Sequence, residues 1–337
     1  MRLGIGVIGY GYWGPNLARN FGAHPDCRVR SISDRRPERR ELAGRHFPHA
    51  AIIADDSALA ATDVDVVAIA TPACTHYELA KRALQNGKHV WIEKPMTSNS
   101  DQAKELAEIA ASRGLTLMVD HTFLFTGAVS KMKEVVDAGE LGGLYYYDSV
   151  RVNLGLFQHD VNVIWDLAPH DLSIIDHLLG PSAQAVSAQG RGHFHTGLED
   201  VAYVSVFYPD NLIAHFHVNW LSPVKIRRTI IGGSKRMLVW DDLSQEEKIK
   251  IYDKGMQVTT IEGIYNVLAT PRVGDMTAPV VPFTEALSVE VDYFVTCVRE
   301  KKTPFNDAQA GLRVVSMLEA TDRSLREGGR IVELRRD

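Results

Sequence analysis

The sequence predicts an α/β protein: a doubly wound parallel sheet first, then a second α/β domain with an open, mainly antiparallel sheet. Three observations lead there. Short β-branched runs alternate with helical stretches over the first third of the chain. A glycine-rich turn directly follows the first run. Further on, strand signals come in close series with turn residues between them, which favours a meander over βαβ units.

At roughly 150 residues per domain, a chain of 337 residues makes about two domains. The split is placed at 1–122 and 123–337. In the first part, residues 3–8, 29–33, 64–70, 89–93 and 115–119 read as strands. Residues 77–85 read as a helix stopped by Asn86-Gly87, and residues 102–112 as one stopped by Arg113-Gly114. In the second part, residues 165–179 form a predicted helix closed by Gly180-Pro181, with Pro169 assigned to its first turn. Strands follow at 183–190, 201–208, 212–221, 226–231, 236–240 and 248–252. Residues 263–282 read as a long loop. Two helices, 284–299 and 307–327, are expected to cover one face of the antiparallel sheet.

Composition excludes several classes. The chain is 45% hydrophobic and 23% charged, ordinary globular usage, so a large core needs no staples. Cys27, Cys74 and Cys297 are too few for a disulfide scaffold and contain no C-x-x-C. A net charge of −5 argues against nucleic-acid binding as the main role. No apolar run reaches the ~18 residues of a membrane span. The start is too short and glycine-broken for a secretory segment, so a cytoplasmic location is expected.

Gly9-Tyr10-Gly11-Tyr12-Trp13-Gly14 is a G-x-G-x-x-G between a strand and a helix. Gly9 permits the tight turn, Gly11 lets backbone approach a pyrophosphate, and Gly14 allows close helix–strand packing. Tyr12 and Trp13 lie in the same loop. Asp34, at the second strand's end, can take the two adenosine-ribose hydroxyls and repel a 2′-phosphate, which favours NAD. Arg35 or Arg36 could neutralise such a phosphate, so NADP stays open. Arg39 and Arg40 read as a solvated basic loop. Thr71 and Pro72 end the next parallel strand, and His76 follows as a helix cap or a nicotinamide neighbour. Lys94 ends the following strand between Glu93 and Pro95, where it faces the ligand crevice or else pairs with Glu93 at the surface.

These pieces, in this order, resemble the Gfo/Idh/MocA family of NAD(P)-dependent sugar and cyclitol oxidoreductases. The likeness runs over essentially the whole chain and continues in Asp166-Leu167-Ala168-Pro169-His170. It implies a Rossmann domain, an open sheet often used for oligomerisation (a homodimer or homotetramer here), and NAD as cofactor. It also implies a cofactor set of Gly9, Gly11, Tyr12, Trp13, Gly14, Asp34, Arg35, Thr71, Pro72, His76, Glu93 and Lys94. The catalytic cluster it implies is Lys94, Asp166 and His170. Asp166 and His170 are four apart and share a helix face, so a carboxylate can orient a histidine whose pKa suits proton transfer. Whether Lys94 or His170 takes the proton is left open. The chain departs from the family where Val163-Ile164-Trp165 replaces a glycine-rich run and Ser173 stands in place of an acid.

Lys94, Arg151, Asn153, Asn162 and His170 are the candidate substrate contacts. Gln158, His159, Lys225 and Arg227 are weaker ones. A sugar or nucleotide-sugar substrate is expected, with free sugars or cyclitols second. Two other readings are carried. His193-Phe194-His195 and His215-Phe216-His217 would each point one way on a strand, so the two pairs could converge on a metal or else face solvent or a subunit interface, and no metal site is assigned. The chain could also be a non-catalytic NAD-binding sensor.

Overall fold

In a computed structural model, the chain is described over residues 2–155, 161–194, 197–260 and 267–334. It divides into two compact units, Met1–Phe125 with Thr284–Glu319, and Thr126–Phe283 with Ala320–Asp337.

The first unit alternates strand and helix. β1 (Leu3–Ile8), α1 (Gly14–Ala23), β2 (Cys27–Ser33), α2 (Pro37–His46) and β3 (Ala51–Ile53) come first. β4 (Val66–Ile69), α3 (His76–Gln85), β5 (His89–Glu93), α4 (Ser100–Arg113) and β6 (Leu117–Asp120) follow. All neighbouring strands pair in parallel, in the order β3-β2-β1-β4-β5-β6. The order reverses at β1/β4, so ligands are expected beyond the carboxyl ends of those strands. β4 is buried at every residue, as a parallel strand covered on both faces must be.

The second unit contains α5 (Gly127–Asp137), β7 (Leu144–Leu154), α6 (Val163–Leu179), β8 (Ala185–Arg191), β9 (Val201–Phe207), β10 (Ile213–Asn219) and β11 (Leu221–Gly233). β12 (Met237–Asp241), β13 (Ile249–Thr260) and β14 (Val267–Thr277) complete the run. After them, α7 (Ala286–Glu300) and most of α8 (Ala308–Arg326) belong to the first unit, and the end of α8 and β15 (Val332–Glu333) to the second. The nine strands lie in the order β14-β13-β12-β11-β7-β10-β9-β8-β15. The sheet is mixed: β10 pairs with β7 in parallel and the remaining pairs are antiparallel. Ala202, Val204 and Val206 of β9, with Ala214, Phe216 and Val218 of β10, are buried, and α6 packs on these two strands.

Three expectations are corrected. Much of the expected loop at 263–282 is β14, an edge strand hydrogen-bonded along β13. Pro271 and Gly274 hid it, and an edge position tolerates both. Pro169 lies inside α6, past its first turn, because Asn162 caps the helix earlier than the apolar pattern suggested. The helix at 286–300 does not cover the antiparallel sheet. Leu287, Val291, Phe294 and Val298 join the core of the first unit, with Leu17, Phe21 and Trp91.

Phe294 meets Phe21 and Trp91 edge to face, at centroid distances of 6.2 and 5.4 Å. Phe294→Ala leaves an aromatic-sized cavity at fully buried neighbours and should cost about 3–5 kcal/mol in denaturant unfolding of the whole chain. A loss below about 1 kcal/mol would show that α7 does not anchor this core.

Candidate active site

The glycine turn is sterically dictated. Gly9 has φ +94°, and a Cβ there would lie 2.5 Å from the Ala70 carbonyl oxygen. A Cβ on Gly14 would lie 2.0 Å from the Gly9 carbonyl oxygen. Gly11 differs, since a Cβ there would meet only the Arg36 guanidinium, at 3.3 Å. Protein packing therefore does not demand glycine at Gly11, whereas the approach of a ligand to bare backbone would. α1 has Pro15 near its start and no side-chain cap, so its first turn offers backbone N–H groups to an anion. Tyr12 is 90% exposed. Trp13 points inward and its Nε1–H donates to Asp120 at 2.7 Å. These residues fit a dinucleotide pyrophosphate.

Asp34 is buried at the end of β2. It accepts the Tyr10 N–H at 2.8 Å, and Arg36 donates to both its oxygens, from Nε at 3.0 Å and Nη2 at 2.9 Å. Burial alone would raise this carboxyl. The Arg36 hydrogen bonds and charge, with the Tyr10 N–H, overcome burial and hold it at about 2. Arg35 is exposed. Arg40 is not a solvated loop residue, because its Nη1 donates to the Asp34 and Arg35 carbonyls at 2.9 and 2.8 Å. The sequence left either Arg35 or Arg36 able to neutralise a 2′-phosphate, whereas here Arg36 clamps the acid meant for the ribose.

Thr71 and Pro72 follow β4, and the Thr71 hydroxyl lies 2.7 Å from that of Thr75. His76 neither caps α3 nor opens to a ligand. Its side chain is buried, with Nδ1 2.9 Å from the Pro95 carbonyl oxygen and Nε2 2.9 Å from that of Thr71. Burial lowers its pKa against the pull of both carbonyls, and a neutral ring donates to one of them. It thus ties the turn after β4 to the turn after β5. Lys94 begins that second turn, half-buried. Glu93 turns inward toward Asp120, and burial first, then the Asp120 charge, raises its pKa well above the usual range.

In the second unit, Asp166 and His170 lie on α6, one turn apart. The Trp220 Nε1–H donates to Asp166 Oδ2 at 3.1 Å and helps fix the carboxylate. Two substrate candidates are corrected. Asn162 is the N-cap of α6, accepting the Trp165 N–H at 3.1 Å and donating to Glu199 at 3.0 Å. Arg151 is 4% exposed and grips Asp171 through Nε and Nη2 at 2.7 and 3.2 Å. Its position in the pleat was legible, but not that this face is buried. Asn153 stays half-buried on the same strand face. Arg227 pairs with Asp242 at 3.3 Å, and Lys225 is exposed.

Gln158, His159 and His195 lie outside the described residues. His193 pairs with Asp200 at 2.7 Å, while His215 and His217 stack on Tyr203. Among the described residues no group of three His, Cys, Asp or Glu side chains gathers to hold a metal. No described helix is long and apolar enough to cross a membrane.

Comparison with known proteins gives two family matches. Residues 3–121 match the oxidoreductase family with an NAD-binding Rossmann fold, and residues 129–239 match the GFO/IDH/MocA C-terminal domain. UDP-N-acetylglucosamine 3-dehydrogenase of Acidithiobacillus ferrooxidans is 30% identical, over 94% of this chain and 95% of that protein. The scyllo-inositol 2-dehydrogenase (NAD(+)) of Bacillus subtilis is 26% identical, over 97% of this chain and 93% of that protein. Among solved structures, GenD2 from gentamicin A biosynthesis in complex with NAD has a TM-score of 0.83 at 24% identity, covering 99% of this chain and 97% of that one.

Releasing Asp34 from its clamp should favour NAD. Arg36→Ala is expected to shift the NAD-over-NADP preference upward by about tenfold in paired binding titrations, the size of one lost charge contact. An unchanged ratio would rule out any role for Arg36 in cofactor choice. The folded pKa of Asp34 lies below its unfolded value, so its contribution to stability is present above about pH 4 and lost as pH falls toward 2. Arg36→Ala should weaken that acid dependence.

Proposed function

The chain belongs to the GFO/IDH/MocA oxidoreductase family, and from that premise we propose that it is an NAD-dependent dehydrogenase of a sugar secondary hydroxyl, with nucleotide sugars as the first substrate class. The observation that carries this is the glycine turn open at Gly11, at the same carboxyl edge of the parallel sheet where Lys94 follows β5. Gly9, Gly11 and Gly14 with the N-terminus of α1 hold the pyrophosphate, and Asp34 takes the adenosine ribose. The bound dinucleotide supplies a hydride acceptor.

The chain's own residues handle the proton. Lys94 hydrogen-bonds the substrate hydroxyl and stabilises the alkoxide. Asp166, steadied by Trp220, orients His170 as the proton shuttle. Lys94 and His170 both remain candidates for the group that takes the proton. A cyclitol substrate is the second reading, favoured by the scyllo-inositol relative.

The outer sheet face carries exposed Tyr203, Ile213 and Ile226, and we assign self-association to it. Three free thiols fit a reducing, cytoplasmic setting.

Two experiments test the proposal. NADH formation is followed with a panel of UDP-sugars, free sugars and inositols. Lys94→Ala should lower kcat about 10²–10⁴-fold, with NAD binding retained. Full turnover in that variant would remove the assignment. In solution, light scattering should give a dimer or tetramer that Tyr203→Glu dissociates, and a monomeric wild type would remove the sheet-face assignment.

A further inference from the structure

Three acids meet inside the first unit, and the chemistry above uses none of them as an acid or base. Glu93 ends β5, Asp120 ends β6, and Glu290 lies on α7. Glu93 and Asp120 are cross-strand partners in the parallel pair. Asp120 is the acid that acts on both glutamates, and Asn306 Nδ2 ties Glu290 to the end of β6 by donating to the Val119 carbonyl at 2.8 Å. Asp120 and Glu290 are 1% and 0% exposed.

Ionised carboxyls only accept hydrogen bonds, so two of them have nothing to share. Each Glu–Asp contact therefore requires a proton. The surrounding donors decide where the remaining charge sits. The Trp13 and Trp91 Nε1–H groups donate to Asp120 Oδ2 at 2.7 and 3.3 Å, and the Thr122 hydroxyl donates to Oδ1 at 2.5 Å. An indole N–H can only donate. Glu93 Oε1 and Glu290 Oε2, by contrast, are buried and meet no donor. A proton on each glutamate would turn a stranded acceptor into a donor.

We infer that Glu93, Asp120 and Glu290 form a proton-sharing chain holding two protons and one negative charge, carried by Asp120, and that this charge positions Trp13 of the glycine loop. The link to the dinucleotide rests on the function proposed above; the chain itself does not. Asp120 acts through Trp13 and is a positioning residue.

The charged and titratable neighbours agree. Burial foremost, then Asp120, raises Glu93 and Glu290 well above the usual carboxyl range. Asn306 Nδ2 also donates to Glu290 at 3.3 Å, while the His121 N–H is taken by the Val119 carbonyl at 2.8 Å. Burial holds His121 at about 4, so it is neutral at pH 7. Lys94 is the nearby cation, and it acts on Glu93, His121 and His76 alike. One buried charge beside one ammonium is a balanced arrangement, whereas three carboxylates would repel strongly at low dielectric.

Infrared spectroscopy of the full chain at about pH 8, far above the ordinary carboxyl range near 4, reads the protons directly. Wild type should show a protonated-carboxyl stretch. Glu93→Gln and Glu290→Gln should each remove a distinct part of it, which separates them from Asp322, another carboxyl raised by burial.

Stability gives a second reading. Folded Glu290 keeps a proton that the unfolded residue loses near pH 4, so wild-type stability falls as pH rises above that value. Glutamine has no proton to lose. The stability of Glu290→Gln relative to wild type should therefore climb with pH.

An absent stretch, or a pH-independent stability offset, overturns the chain. Asp120→Asn should weaken NAD binding about tenfold. Unchanged affinity in that variant overturns the Trp13 link. Failure of wild type to bind NAD would sink the functional reading and leave the infrared result standing.

Discussion

The close approach at the glycine turn is the constraint on which the first unit depends. Gly14 lies so near the Gly9 carbonyl, and Gly9 so near Ala70, that no side chain fits at either position. This sets the start of α1 against the ends of β1 and β4, where the strand order reverses. The same turn carries Trp13 inward to Asp120. Through Asp120 the loop reaches β5, β6 and α7, so the segment after residue 284 is part of the glycine-loop scaffold although it arrives late in the chain.

The two units solve the problem of buried polarity differently. The first keeps neutral acids around one carboxylate. The second pairs opposite charges, with Arg151 gripping Asp171 while Ser149 donates to the same carboxylate at 2.9 Å. Removing either partner would leave a buried charge uncompensated, the costly way to break such a pair. The consequence for function is that polar residues near the chemistry are divided between those that hold elements in place and those that remain to meet ligands. Asn162, Arg151 and His76 belong to the first group.

What was legible in the sequence was what local pattern encodes. Alternating runs predicted the parallel sheet, and the glycine spacing predicted the loop between β1 and α1. Family resemblance assigned Lys94, Asp166 and His170, and that assignment is carried by proposal. What was not legible depends on residues far apart in the chain. Asp120 meets Glu290 across the return of α7, and no periodicity announces it. Arg36 stood two residues from Asp34, yet only its folded rotamer shows the clamp. β14 was missed because Pro271 and Gly274 are loop signals that an edge strand accommodates. Arg151 was read by its alternation, but the burial of its face comes from α6.

The central claim is that the glycine loop is a dinucleotide site, with Gly11 kept bare for the ligand. Calorimetric titration of NAD into wild type and Gly11→Val tests it most directly. The account predicts saturable NAD binding to wild type and its loss in the variant. The unfolding midpoint should change little, since a Cβ there meets only the flexible end of Arg36, at 3.3 Å. Equal NAD affinity in the two proteins would contradict it.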